Sequence, residues 1–558
     1  MRHYSTGITD GLMWLKMLLV KYVLLRSLIS DACNPDKCQV DALKNILARN
    51  KNTTLGKHYN FASITSADDF IKHVPVHGYE ELRPYIEKQI ETGEYSIVPE
   101  KPVMYAQTSG TTGKPKYIPI LKDTIDSYKR AQRISSSVQQ RALPKIFSGK
   151  ILAIVSPAIE GHLSDGTPYG SMSGLIYQNM PDIILSKYVL PPALFEVADY
   201  EAKYRLIAAF ALREADITCL ATANPSTLIR IGEIIYQHGD ALIEFVTTGN
   251  LDVLGVRLDS EQKKQFSAYC TPDPRRAKAL ESLRQRKGGI RFCDIWPNLQ
   301  AVVTWTSGNC ALLLPKLKKQ LLPETKIVEM GYLASEFRGT ITIDCERNIG
   351  IPTIQDNFFE FAEVDSWDSG NHNTLLLSQL ETGRKYYIIV TASHGIYRYF
   401  INDIIEVTGW FQNTPTIVFV QKGKGVTNLT GEKLYESQVI TAAQEAAKAY
   451  SIAPEFFMML ADQQDFSYRF YIESMDGFDV PSFTQKLNAH LGELNIEYQS
   501  KAQSGRIKFA DVKRLKAGTL EAYKSFCVQA GQREGQFKVI KLQYRADVPF
   551  PFEEHLEP

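Results

Sequence analysis

Residues Tyr105–Lys116 read Y-A-Q-T-S-G-T-T-G-K-P-K, and Pro115 within this stretch narrows the folds open to the chain. Two glycines, a run of hydroxyl side chains, Lys114 and Lys116 make a loop whose N–H groups, hydroxyls and ammoniums can surround a polyphosphate. A P-loop would need four residues between its first glycine and a Gly-Lys pair, then Ser or Thr and a helix. Here only two residues separate Gly110 from Gly113, and Pro115 follows Lys114. Proline has no N–H to offer a phosphate and steers Lys114 away from helical dihedrals. The loop is therefore expected to lead from the strand-like run Val103–Ala106 into the extended run Tyr117–Leu121. That excludes the Walker architecture and leaves a nucleoside triphosphate as the first ligand to consider.

Further strand-like runs follow at Ile151–Val155, Ile217–Leu220, Leu299–Trp305, Ile327–Met330 and Tyr386–Val390, with helical patterns such as Tyr200–Glu214, Pro225–Gln237 and Ala277–Lys287 between several of them. Short β-rich runs alternating with amphipathic helices predict an α/β architecture, in which ligands bind beyond the carboxyl ends of the strands. At 421–432 the texture turns glycine-rich and polar, Q-K-G-K-G-V-T-N-L-T-G-E, as a hinge would. The remainder has its own alternation: helix Leu434–Tyr450, strands Phe456–Ala461 and Tyr468–Ser474, helix Phe483–Ala489, strand Gly505–Val512 and helix Thr519–Ala530. The expected division is a large α/β domain over 1–420, a hinge over 421–432 and a small α+β lid over 433–558. A chain of 558 residues exceeds a single core.

Charge excludes some partners. Lys plus Arg number 63 against 62 for Asp plus Glu, so no global attraction to nucleic acid is expected. Eight cysteines scattered through so long a chain are no disulfide framework, and reduced cytoplasmic thiols are the expectation. In the apolar segment Leu12–Ile29, Lys16, Lys21 and Arg26 interrupt any run long enough to span a bilayer. It reads as a helix packed on the body, with a membrane-surface helix as the other reading. His73 and His77 are separated by Pro75, which argues against a shared helical face for zinc, and nothing orients a partner for His394 or Cys310.

Two more stretches carry chemistry. G-Y-L-A-S-E at Gly331–Glu336 follows the strand Ile327–Met330, so Glu336 at the mouth of a sheet could hold the magnesium ion that accompanies ATP; a Ser-Glu pair there would alternatively cap a helix. I-Y-R-Y-F-I-N-D at Ile396–Asp403 ends in a carboxylate whose two oxygens match a vicinal diol such as ribose, or in a solvated strand end.

In order and spacing, these three motifs resemble those of the adenylate-forming superfamily. The forms Y-x-A-S-E and Y-R-Y-x-x-x-D are similar to one branch, the auxin-inducible acyl acid amido synthetases, a plant family with bacterial relatives. Trp296–Gln300 (W-P-N-L-Q), Thr304–Gly308 (T-W-T-S-G), Ala223–Leu228 (A-N-P-S-T-L), Asn428–Glu436 and Gly535–Lys538 (G-Q-F-K) extend the resemblance over nearly the whole chain. It implies the adenylate-forming fold and a two-step reaction: a carboxylic acid and ATP give an acyl-adenylate and pyrophosphate, and an amino-acid amine then displaces AMP. An acyl-CoA ligase would share every nucleotide motif.

Carried over by motif, Ser109, Gly110, Thr111, Thr112, Gly113 and Lys114 would hold phosphates. Tyr332, Ala334, Ser335 and Tyr397 would border the nucleotide, Glu336 would serve magnesium and Asp403 ribose. Lys538 would be the lid lysine that approaches the α-phosphate, unless it is a surface lysine. Ser173 in G-S-M-S-G, Asn224, Pro225, Thr306, Ser307, Gly308 and Arg398 would border the acyl site, with Arg398 alternatively an ion-pair partner. Implied partners are a small carboxylic acid and an amino acid; the expected state is a monomer. Asn402 stands where the family usually has glycine, and Asn tolerates positive φ. Gln421 and Lys422 stand where an arginine often opens the hinge, and Lys does not replace a bidentate Arg.

Overall fold

The computed structural model describes residues 20–557 apart from 109–114, 286–289, 424, 428, 430–431, 433, 504–506, 533 and 535–536. Four apolar runs, Lys150–Ile154, Ile217–Thr222, Ala301–Thr304 and Lys326–Glu329, form an all-parallel sheet in their chain order. Most of their residues are buried, as strands covered on both faces must be. Helices Tyr200–Arg213, Ser226–Gln237 and Gly239–Thr248 supply the cover through Leu206, Phe210, Ile231, Ile234, Leu242 and Phe245. Because the strands run in one direction, the loops leaving their carboxyl ends gather at a single edge.

Strands Met104–Thr108 and Lys116–Ile120 pair antiparallel with Thr108 opposite Lys116, the strand-to-strand connection that Pro115 requires. Ser109, Gly110, Thr111, Thr112, Gly113 and Lys114 lie outside the described residues. The short strand Pro168–Gly170 adds parallel to Met104–Thr108 and leads into helix Met172–Gln178, whose N-terminus Ser171 caps by accepting from the Gly174 N–H. A Cβ on Gly174 would lie 2.4 Å from the Ser156 carbonyl, so only glycine lets this helix close on the loop after the first parallel strand.

A four-stranded antiparallel meander follows: Asn357–Glu363, Lys385–Ala392, Ile396–Phe411 and Thr414–Lys422. Its third strand is long and irregular. Its register against the second shifts between Tyr387 and Ile389 and again between Val390 and Ala392, beside Asn402 and Arg398, which have φ of 61° and 44°. Such bulges re-aim side chains.

The C-terminal residues build a separate sheet in the order Asp511–Leu515, Ser467–Glu473, Phe456–Asp462, Leu542–Tyr544. Phe457, Met459 and Ala461 face helices Glu436–Ala449 and Val480–Leu494, while Phe456, Met458 and Leu460 face Tyr523, Phe550 and Phe552, the period-2 alternation of a sheet buried on both sides. The strand expected at Gly505–Val512 is Asp511–Leu515 instead, with 504–506 outside the described residues. Ahead of it the Ala510 N–H donates to Asn488 and Tyr498 side chains rather than to a neighbouring strand. The described part of the N-terminal segment packs on the body: Leu25, Leu28 and Ala32 belong to the main core, and the Thr414 hydroxyl donates to the Ala32 carbonyl at 3.0 Å. No helix among the described residues is long and apolar enough to cross a membrane.

Candidate active site

The edge of the parallel sheet, the bulged strand and the inner wall of the C-terminal unit enclose a cavity of about 1540 Å³. Glu329, the last residue of its strand, organises the floor. Its carboxylate accepts from the Thr306 N–H (2.8 Å), the Thr306 hydroxyl (2.5 Å) and the Gly331 N–H (2.9 Å). The loop after one strand is thus tied to the loop after the next. Trp305 Nε1 adds a bond to the Gly331 carbonyl at 3.2 Å. Gly331 sits at φ 101°, a conformation that a side chain would strain.

Tyr332 follows. Its N–H donates to Thr340 Oγ1 (2.8 Å), its ring stacks on Phe419 at 5.7 Å, and its hydroxyl donates to Asp403 Oδ2 at 2.5 Å. Burial, then the Asp403 charge, pushes the Tyr332 phenol well up, so it stays a donor and orients the buried Asp403 carboxylate. The chain next turns back through the Leu333–Arg338 bridge, and Ser335-Glu336 therefore caps no helix. Two bonds pin this loop: Tyr128 OH to the Ala334 carbonyl at 3.4 Å and His394 Nε2 to the Glu336 carbonyl at 2.7 Å. Burial lowers His394 to about 4, so it is neutral and donates from Nε2. Glu336 itself is 8% exposed and lines the cavity, and its carboxylate makes no hydrogen bond or ion pair with the described residues.

Ser173, Asn224 and Ser307 line the same cavity beside the apolar Met172, Ile176, Met180 and Tyr188. Pro225, Thr306 and Gly308 are not among its lining residues but shape it from behind. Pro225 starts helix Ser226–Gln237, Thr306 is held by Glu329, and Gly308 at φ 57° backs onto Phe419 and Val420. Across the cavity, Lys538 places its ammonium 4.4 Å from the Trp305 ring centroid. Lys316 joins the two units through Glu455 at 2.5 Å.

Two expected residues lie elsewhere. Arg398 is buried with its Nε 2.9 Å from Glu360 Oε2 and its Nη2 2.7 Å from Glu360 Oε1, while Nη1 donates to the Ile71 and Val74 carbonyls. It is the ion-pair partner of the alternative reading and does not line the cavity. Tyr397 likewise points into the core, donating to the Ile97 carbonyl at 3.0 Å and packing on Phe61. The bulge is the physical reason: simple alternation would put Tyr397 and Tyr399 on one face, yet only Tyr399 reaches the cavity, where its hydroxyl lies 3.4 Å from Lys116 Nζ. Glu329 and His394 had no motif to mark them, and Tyr399 belongs to the Y-R-Y-x-x-x-D motif, in which the expectation fell on Tyr397 instead. Glu329 had only its place at the end of a predicted strand.

The chain matches the GH3 family N-terminal domain over residues 24–327, the GH3 family central domain over 350–422 and the GH3 family C-terminal domain over 437–545. It is 24% identical over 544 residues to "Indole-3-acetic acid-amido synthetase GH3.8" of Oryza sativa subsp. indica, covering 92% of this chain and 89% of that protein. The solved structure of "GH3.15 acyl acid amido synthetase" superposes with a TM-score of 0.83 at 20% identity, covering 96% of each chain. A 2-hydroxyisobutyryl-CoA ligase in the postadenylation state shares the fold more distantly, with a TM-score of 0.52 at 10% identity over 92% of this chain and 90% of that one. With an adenylate-forming fold and three consecutive family domains, the chain belongs to the GH3 family of acyl acid amido synthetases.

Proposed function

We infer that the protein is an ATP-dependent acyl acid amido synthetase, which joins a small carboxylic acid to an amino-acid amine through an acyl-adenylate and releases pyrophosphate and AMP. The observation that carries this reading is the convergence on one cavity of Glu336, a carboxylate that makes no hydrogen bond or ion pair with the described residues, the Tyr332–Asp403 pair and a lysine from the facing unit, Lys538. In this reading residues 1–420 are the adenylation domain, 421–432 the hinge and 433–558 the lid.

Asp403, held by the Tyr332 hydroxyl, takes the ribose diol. The 332–335 backbone borders the adenine, and residues 109–114 with Lys114 take the phosphates. Glu336 holds the magnesium ion, whose contribution when bound is to neutralise phosphate charge. The Glu336 carboxylate fits such an ion: it is buried, lines the cavity and makes no hydrogen bond or ion pair with the described residues, and magnesium is held through one or two carboxylates, water and substrate phosphates. Attack of the acid on the α-phosphate builds charge on its oxygens, and Lys538 is the mobile cation placed to meet it. Ser173, Asn224 and Ser307 border the acid, with Thr306 and Gly308 setting the position of Ser307. The eight cysteines are free, in keeping with a cytoplasmic protein, and we take it to act as a monomer.

The test is incubation of the protein with Mg-ATP, a pool of carboxylic acids, the proteinogenic amino acids and CoA, read by mass spectrometry. AMP with an acyl–amino-acid amide is the expected outcome; AMP with a thioester would move the protein to the CoA ligases. Glu336→Ala is expected to lower ATP–pyrophosphate exchange by about 100-fold or more without changing thermal unfolding, and near-normal exchange would sink the role given to Glu336.

A further inference from the structure

The C-terminal unit brings Lys524 and Lys541 to the cavity besides Lys538. Lys541 follows Lys538 by three residues, at most about 10 Å along extended backbone, and immediately precedes the strand Leu542–Tyr544. Its backbone is fixed: the N–H donates to the Glu436 carboxylate, and the carbonyl accepts from the Met459 N–H at 2.7 Å. The residue is 8% exposed and lines the cavity, with its ammonium 4.9 Å and 4.7 Å from the ring centroids of Phe456 and Phe457.

Aromatic faces attract a cation but do not replace the hydrogen bonds it has lost. The Lys541 ammonium forms no hydrogen bond or ion pair with the described residues, and Glu436 acts on it through charge alone. Three other cations of the cavity are hydrogen-bonded or ion-paired. Arg230 pairs with Glu201 and Glu233, Lys524 with Glu534, and Arg338 donates to Gln132, Ser135 and Thr340. Burial lowers Lys541 to about 8 against the opposing charge of Glu436, so the site disfavours the ammonium charge and a further anion beside it would stabilise that charge.

On the synthetase reading, the second step brings a zwitterion into this cavity. Its amine reacts, while its carboxylate is retained and must be desolvated. We propose that Lys541 binds the α-carboxylate of the acceptor amino acid and so orients the amine toward the acyl group held by the large domain. The subsite selects amino acids over amines that lack a carboxylate.

The experiment compares the wild type with Lys541→Met, using Mg-ATP and the acid that yields product in the pool above. Two acceptor mixtures are offered: the proteinogenic amino acids, or the same compounds as α-carboxamides. Products are read by mass spectrometry, and ATP–pyrophosphate exchange and thermal unfolding are measured on the same preparations. Lys541→Met is expected to lower product from the amino acids by at least about ten-fold, the scale of a lost charge-assisted hydrogen bond. The wild-type preference for carboxylates over carboxamides should collapse toward one, and Lys541→Arg should restore part of it. A preference that survives in Lys541→Met overturns the proposal. So does a loss of exchange parallel to the loss of transfer, since that would assign Lys541 to adenylation or to folding. Absence of exchange in the wild type with every acid would strike the synthetase reading itself, a distinguishable failure.

Discussion

His394 serves the site without entering its chemistry. Its Nε2–H holds the Glu336 carbonyl, and burial brings its pKa from 6.5 to about 4. The unfolded chain therefore binds a proton between those values that the folded chain refuses. Stability conferred by the neutral ring is complete above about pH 6.5 and is lost as pH falls toward 4, by roughly 3 kcal/mol at most. The melting temperature should drop on acidification through this window, and less steeply in His394→Gln; equal slopes in the two proteins would remove His394 as the cause. Arg398 and Glu360 present the contrasting case of a fully used buried pair. The motif that singled out Arg398 marks a structural clamp between the meander and the 71–74 segment.

At the scale of the element, the strand Ile396–Phe411 decides which side chains reach the cavity. Asn402 occupies the left-handed region at φ 61° and its carbonyl accepts from the Gly423 N–H at 2.8 Å, so the bulge that presents Asp403 depends on a residue tolerant of positive φ. Asn402→Gly should be within about 1 kcal/mol of the wild type, whereas Asn402→Val should cost roughly 1–2 kcal/mol and weaken ATP binding in calorimetric titration. Equal ATP affinity in both variants would show that the bulge does not aim Asp403. The same reasoning explains why glycine could be replaced here without losing the turn: asparagine is among the few residues that visit this region readily.

At the scale of the whole molecule, the apolar core divides. One large cluster runs from Leu25 to Ile417, while two others lie on opposite faces of the C-terminal sheet. The polar contacts Lys316–Glu455 and Lys538 over Trp305 bridge the units; ion pairs of this kind, partly open to solvent, contribute little. Scanning calorimetry should accordingly resolve two transitions, with Mg-ATP raising the one that belongs to the larger unit. A single transition moved as a whole by Mg-ATP would mean that the units unfold together.

The α/β class, the strand-to-strand setting of the loop at 109–114, the positive φ at Asn402 and the grouping of the 331–336 and 396–403 motifs were legible in the chain. Each rests on local rules: proline's missing N–H, the few residues tolerant of positive φ, and the periodicity of buried strands. The direction in which a side chain leaves a bulged strand is not local. Arg398 and Tyr397 turn into the core and Tyr399 into the cavity because register shifts against the Lys385–Ala392 strand reset the alternation. Likewise no motif includes Glu329, His394 or Lys541. Their partners lie 23, 58 and 105 residues away, and only the tertiary packing of distant segments brings each of these pairs together.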